Sequence, residues 1–124
     1  MDMQMTDKTI LITGASDGLG KEAARKLAAR GARLILHGRN EDKLQAVVSS
    51  ILAEFPDARV DTILADFCSL AQVRAMAAEI NARYGEGRAI AVPASIASRE
   101  DLQRLVDETN AAFGQIDIVV CNAA

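Results

Sequence analysis

The feature that most limits the fold of this chain is a set of closely spaced glycines, Thr13-Gly14-Ala15-Ser16-Asp17-Gly18-Leu19-Gly20. Upstream, Lys8-Thr9-Ile10-Leu11-Ile12-Thr13 is a short β-branched run that reads as a strand. Downstream, Lys21 to Arg30 places Ala23, Ala24, Leu27 and Ala28 at helical spacing. In a strand-turn-helix, one glycine permits the tight turn, another lets the backbone approach a phosphate, and a third lets the helix pack on the sheet. The first-turn N–H groups and the helix dipole then face an anion. Glycines that merely make a turn are the alternative, and their placement between a strand and a helix argues against it.

The same alternation continues. Gly31 closes the first helix, and Arg33-Leu34-Ile35-Leu36-His37 is a second strand ending at Gly38. Asn40 caps a helix over 41–54, which stops ahead of Pro56 because proline disfavours helical geometry in the residue before it. Val60 to Ala65 is a third strand. Ser69-Leu70-Ala71-Gln72 has the form of a capping box, opening a helix to Tyr84 with Val73, Met76, Ala77 and Ile80 on its apolar face. Ala89 to Val92 reads as a fourth strand, Ser98-Arg99-Glu100-Asp101 is another capping box that opens a helix ending near Phe113-Gly114, and Ile116 to Val120 reads as a fifth strand.

Unbroken alternation predicts an α/β fold: a doubly wound, mostly parallel, five-stranded Rossmann-like sheet in one domain over residues 1–124. Aromatics are only 3% of the chain, so the core is packed from Ala, Val, Ile and Leu, as suits helices lying close on a parallel sheet. A net charge of -3 gives no basic field for nucleic acid or an anionic membrane, and both are set aside as partners. No apolar run approaches the ~20 residues that span a bilayer. Cys68 and Cys121 lack CxxC spacing and read as small buried apolar residues, and the N-terminus lacks the regions of a signal peptide. A cytoplasmic setting is expected.

An internal repeat is visible. A shift of 29 residues lays Asp66 on Ser95, Ser69 on Ser98, Val73 on Leu102, Met76 on Leu105, Tyr84 on Phe113 and Gly85 on Gly114. Segments 60–85 and 89–114 thus read as two copies of one strand-helix unit, since cap, aromatic and terminal glycine agree along with the helical period.

A dinucleotide is the ligand that the glycine turn implies. About 20 residues beyond such a turn, an acidic residue would hold the ribose 2′-OH of NAD. Here the chain reads His37-Gly38-Arg39-Asn40 instead. Arginine pairs bidentately with a phosphate, and no carboxylate in that stretch repels one, so the sequence favours NADP(H) over NAD(H). The candidate site comprises Gly14, Ser16, Asp17, Gly18, Leu19 and Gly20 of the turn with Arg39 and Asn40. Lys21 and Lys43 read as surface residues, and His37, the sole histidine, as a hydrogen-bonded structural residue rather than a base.

These motifs, with Asp66 followed by Ser69-Leu70 and with Cys121-Asn122-Ala123-Ala124, resemble the N-terminal half of a short-chain dehydrogenase/reductase. The resemblance implies that Asp66 contacts the adenine, with backbone contacts from Phe67. It also matches Asn122 and Ala123 to the family's N-N-A-G element, Cys121 replacing its first Asn and Ala124 its Gly. The family's catalytic Asn, Ser, Tyr and Lys lie beyond that element, and here the sole tyrosine, Tyr84, is followed four residues on by Arg88 rather than lysine. Tyr84 therefore reads as a helix-end core aromatic, and no catalytic residue is assigned.

The repeat inserts a strand-helix unit where the family passes directly to the N-N-A-G strand. With short right-handed crossovers, strand 89–93 lies beside the first strand in an order 3-2-1-4-5, and Ala94, Ser95 and Ile96 face the nicotinamide half. The alternative keeps strand 116–120 there and exchanges the inserted strand with a partner chain. Either way an apolar strand lies near a sheet edge, so a homodimer or higher assembly is expected. The leading reading is an NADP(H)-binding domain without dehydrogenase activity, truncated or recombined. Alternatives are a weak hydrolase using Ser16, Ser95, Cys68 or Cys121, and a folded scaffold without selected activity.

Overall fold

The computed structural model describes residues 4–95 and 97–116. The chain divides into two compact units, Met1–Asp66 and Phe67–Ala124. In the first, β1 (Thr9–Ile12), α1 (Gly18–Ala29), β2 (Arg33–Gly38), α2 (Glu41–Glu54) and β3 (Val60–Leu64) follow one another. All strand pairing is parallel, in the order β1-β2-β3, with Thr9 opposite Arg33 and Leu34 opposite Val60. This is the 3-2-1 half of the expected order.

The period-two alternation of the strands explains the core. Ile10, Ile12, Leu34, Leu36 and Val60 pack with Ala24 and Ala28 of α1 and with Leu44, Val47 and Ile51 of α2. Alanines one turn apart on α1 allow a close approach to the sheet, while the i, i+3, i+7 spacing on α2 supplies bulk. Leu34, Leu36 and Leu44 are fully buried, each contributing about 1.5–3 kcal/mol relative to exposure. On the surface, Arg25 reaches both Glu22 and Glu54, joining α1 to α2. The Arg25 guanidinium holds the Glu22 carboxyl below its usual range, and the pairs, being exposed, add little stability.

Three boundaries carry meaning. α1 starts at Gly18, inside the glycine turn and three residues before the expected Lys21, so the turn is itself the helix's first turn. α2 runs over Glu41–Glu54 as expected, with the Asn40 side chain accepting from the Lys43 N–H at 3.0 Å. Phe55, at φ -127 and ψ 83, leaves the helical region just before Pro56.

The second unit holds α3 (Leu70–Tyr84) and α4 (Arg99–Phe113). The helical part of the repeat is reproduced in detail. Each helix has 15 residues, a serine cap at φ -106 that accepts from the N–H three residues on, and a terminal glycine at positive φ (Gly85, 112; Gly114, 84). The Asp101 carboxylate does not complete a capping box, because it accepts from the Ser95 N–H instead, at 2.8 Å.

The strand part of the repeat is not reproduced. Ala89 to Val92, expected as a fourth strand, has no strand structure, and the sheet has three strands among the described residues rather than five. Asn81 supplies the reason. Its Oδ1 accepts from the N–H groups of Arg88 and Ala89 at 2.8 and 2.9 Å, and its Nδ2 donates to the Ala89 carbonyl at 3.0 Å. Those groups are thereby taken from any strand ladder, and Pro93 has no N–H to offer one. The fifth strand, 116–120, lies outside the described residues beyond Ile116.

The two copies also differ in burial. α3 buries Met76 and Ile80, with Val73 and Ala77 half-buried, as its pattern predicts. α4 buries no residue, and Leu102, Leu105, Val106 and Phe113 are exposed, so Phe113 is not the core counterpart of Tyr84. Cys68, expected to be buried, is exposed because it lies in the turn between β3 and α3.

Candidate functional site

The glycine turn leaves β1, bends at Gly14 (φ 61), and enters α1 at Gly18 (φ 55), two positions in the left-handed region where a side chain is strained. Gly20 has a different role. A Cβ there would stand 2.4 Å from the Gly14 carbonyl oxygen, so the first turn of α1 closes directly over the backbone of Gly14. The tight turn and the close helix approach expected of these glycines are thus visible as geometry.

Helix α1 differs from the others at its start. Asn40, Ser69 and Ser98 each accept a backbone N–H as caps of α2, α3 and α4, whereas Asp17, extended at φ -146, makes no side-chain cap bond. The N–H groups of Leu19 and Gly20 therefore receive no cap from the Asp17 carboxylate. Leu19 is 92% exposed, which leaves that end of the helix open to a ligand. Open donors at the positive end of a helix dipole form an anion site.

His37 holds the turn in place. The ring is 4% exposed; Nδ1 accepts from the Gly14 N–H at 3.1 Å, and Nε2 lies 2.8 Å from the Ala65 carbonyl oxygen. Since the carbonyl can only accept, the ring proton sits on Nε2. Backbone bonds run alongside, from the Ala15 N–H to the His37 carbonyl at 2.8 Å and from the Ala65 N–H to the Gly38 carbonyl at 3.2 Å. The ends of all three strands are tied at one histidine. With both nitrogens engaged in holding the strand ends, His37, the chain's sole histidine, is not available as a base for a serine or cysteine nucleophile.

Beside the turn lies a cleft of about 480 Å³, lined by Ser16, Asp17, Arg39, Asn40, Lys43 and Asp66. Five of these are residues that the sequence singled out, carried in from the ends of β1, β2 and β3. The sixth, Lys43, reads from sequence as surface. Its position three residues beyond the Asn40 cap was the available signal, because the first turn of α2 starts at the strand end that carries Arg39. Lys43 Nζ lies 3.6 Å from Asp17 Oδ2. Among the described residues Arg39 makes no hydrogen bond or ion pair, and its guanidinium is exposed at the cleft.

Other expected residues are placed elsewhere. Phe67 belongs to the second unit and is 50% exposed. Ala94 and Ser95 lie in the irregular segment after Asn81's clamp, while Ile96 and Asn122 are outside the described residues. Among the described residues no His, Cys, Asp and Glu side chains gather as a metal would require, and no helix is long and apolar enough to cross a membrane.

Comparison with known proteins gives the same direction. The family described as short chain dehydrogenase matches residues 8–88. Levodione reductase of Leifsonia aquatica is 43% identical over 72 residues, 58% of this chain and 27% of that protein. A WW domain-containing oxidoreductase of Danio rerio is 41% identical over 73 residues, 59% of this chain and 18% of the relative. The chain thus matches well under two thirds of the length of these relatives. Among solved structures, levodione reductase is 40% identical with a TM-score of 0.61, over 65% of this chain and 31% of that one. A metagenomic short-chain oxidoreductase in complex with NADP is 32% identical with a TM-score of 0.57, over 62% of this chain and 34% of that one. The α/β architecture is the Rossmann-like fold of these structures.

Proposed function

Because the chain belongs to the short-chain dehydrogenase family, we propose that its glycine turn and neighbouring cleft bind a nicotinamide dinucleotide, NADP(H) in preference to NAD(H). The observation that carries the preference is Arg39, exposed at the cleft and paired with nothing among the described residues. A 2′-phosphate bears a charge of about -1.5 to -2 and suits a bidentate guanidinium. A carboxylate at that strand end would suit the free hydroxyl instead.

In this reading the pyrophosphate lies over the uncapped first turn of α1, which closes on Gly14 so tightly that Gly20 has no room for a Cβ. Ser16 adds a hydroxyl, Asn40 and Arg39 flank the adenosine ribose, and Asp66 meets the adenine edge. When bound, the cofactor supplies or accepts a hydride. The chain's own residues hold it and fix its adenosine half.

Protonating a carbonyl during reduction takes a positioned acid, worth about 10²–10⁴-fold in rate. The sole tyrosine, Tyr84, closes α3 in the second unit and is followed four residues on by an arginine, too strongly basic to share a proton as lysine does. The 124 residues are therefore proposed to bind cofactor without turning over a carbonyl substrate. The matching caps and glycine ends of α3 and α4 support an origin by duplication or recombination.

Calorimetric titration with NADPH and, separately, NADH tests the reading. Saturable binding that prefers NADPH is expected; binding of neither, or a preference for NADH, overturns it.

A further inference from the structure

Lys43 stands third in α2, where the dipole disfavours a cation and where Glu41 and Asp42 already supply the favoured charge. Helix stability does not account for it. Its ammonium instead reaches Asp17, at 3.6 Å, across the cleft that both residues line. Asp17 sits at the N-cap of α1, where its charge suits the dipole, but its carboxylate makes no cap bond. The carboxylate is thus available to Lys43, and the two meet beside Arg39.

We propose that Lys43 is a second cation for the 2′-phosphate and that Asp17 competes with the phosphate for it, so that this pair sets the ratio of affinities for phosphorylated and unphosphorylated dinucleotides. The proposal rests on the assignment of the 2′-phosphate to Arg39. The side chains of Lys43 and Asp17 are 60% and 76% exposed, and a pair so exposed is weak enough for a dianion to displace. Without the phosphate, Asp17 neutralises Lys43 and leaves Arg39 as the cleft's unpaired cation. With it, Lys43 turns to the stronger anion and Asp17, three-quarters exposed, returns to solvent.

The variants are Asp17→Asn, which keeps a residue preferred at an N-cap, and Lys43→Gln, which keeps a good helix former. Each is titrated with NADPH and NADH alongside Arg39→Ala, with the thermal midpoint checking the fold. Asp17→Asn is expected to raise the preference for NADPH about threefold to fivefold, and Lys43→Gln to lower it by a similar factor, in line with exposed pairs. In the Lys43→Gln background, Asp17→Asn should have a much smaller effect, because the competition has been removed. If Arg39→Ala abolishes the preference while Lys43→Gln leaves the ratio untouched, this proposal fails and the Arg39 assignment stands. Independent, additive effects of the two substitutions also overturn it. A wild-type chain with no preference for NADPH overturns both.

Discussion

Gly14 donates its N–H to Nδ1 of His37 at 3.1 Å, so a loop residue that follows β1 is held by a side chain from the end of β2. The other nitrogen of the same ring is bonded to the Ala65 carbonyl beyond β3. A flexible glycine turn is thereby fixed at its first residue without a contact to any ligand, and the open donors of α1 keep their position.

Replacing His37 by Ala strands the buried Ala65 carbonyl and the Gly14 N–H. The Ala65 carbonyl is buried, and leaving it unsatisfied costs about 1–3 kcal/mol, whereas the exposed Gly14 N–H can turn to water; urea unfolding should show a loss in that range. Dinucleotide affinity should fall with it, for NADPH and NADH alike. Unchanged stability would mean that the backbone bonds of Ala15 and Ala65 hold the strand ends alone.

The glycines should separate by mechanism. Gly20→Ala puts a Cβ 2.4 Å from the Gly14 oxygen and must push the turn away from α1, at about 1–3 kcal/mol, with loss of binding to both cofactors. At Gly18 an added Cβ meets nothing within 4 Å, and only the positive φ is penalised, by about 1–2 kcal/mol. Gly18→Ala should therefore retain more affinity than Gly20→Ala at comparable stability, as calorimetry on both will show.

Asn81 makes three hydrogen bonds to the backbone of Arg88 and Ala89. Asn81→Ala should release this segment, so that limited proteolysis cuts near Arg88 several times faster while the first unit keeps its hydrogen-exchange protection. Equal protection of the segment in both proteins would contradict the clamp.

The first unit was legible in the sequence because each of its signals has a local cause. Asn40 caps, Pro56 blocks, glycines bend, alternation from Thr9 to Ile12 decides which face of β1 is turned inward, and the apolar run Leu34-Ile35-Leu36 marks β2 as the central strand, buried on both faces. The caps Ser69 and Ser98 were legible for the same reason. Segment 89–92 was not, since four apolar residues become a strand only with a neighbour to pair with, and a side chain eight residues upstream holds the backbone of Ala89 instead. Lys43 reads as a surface residue although its place in the first turn after the Asn40 cap puts it at the cleft; its 3.6 Å approach to Asp17 depends on how two helices meet, which the sequence does not record. Exposure was misjudged at Cys68 and along α4, where residue type suggested burial but no packing partner follows from the sequence.

The most direct test of the central claim is the ratio of NADPH to NADH affinity in Arg39→Ala, measured by calorimetry against the unaltered protein. Loss of a charge-assisted pair costs about 1.5–3 kcal/mol, so NADPH should weaken roughly tenfold or more while NADH changes little. Equal losses for the two cofactors, or none for either, would contradict the assignment of Arg39 to the 2′-phosphate.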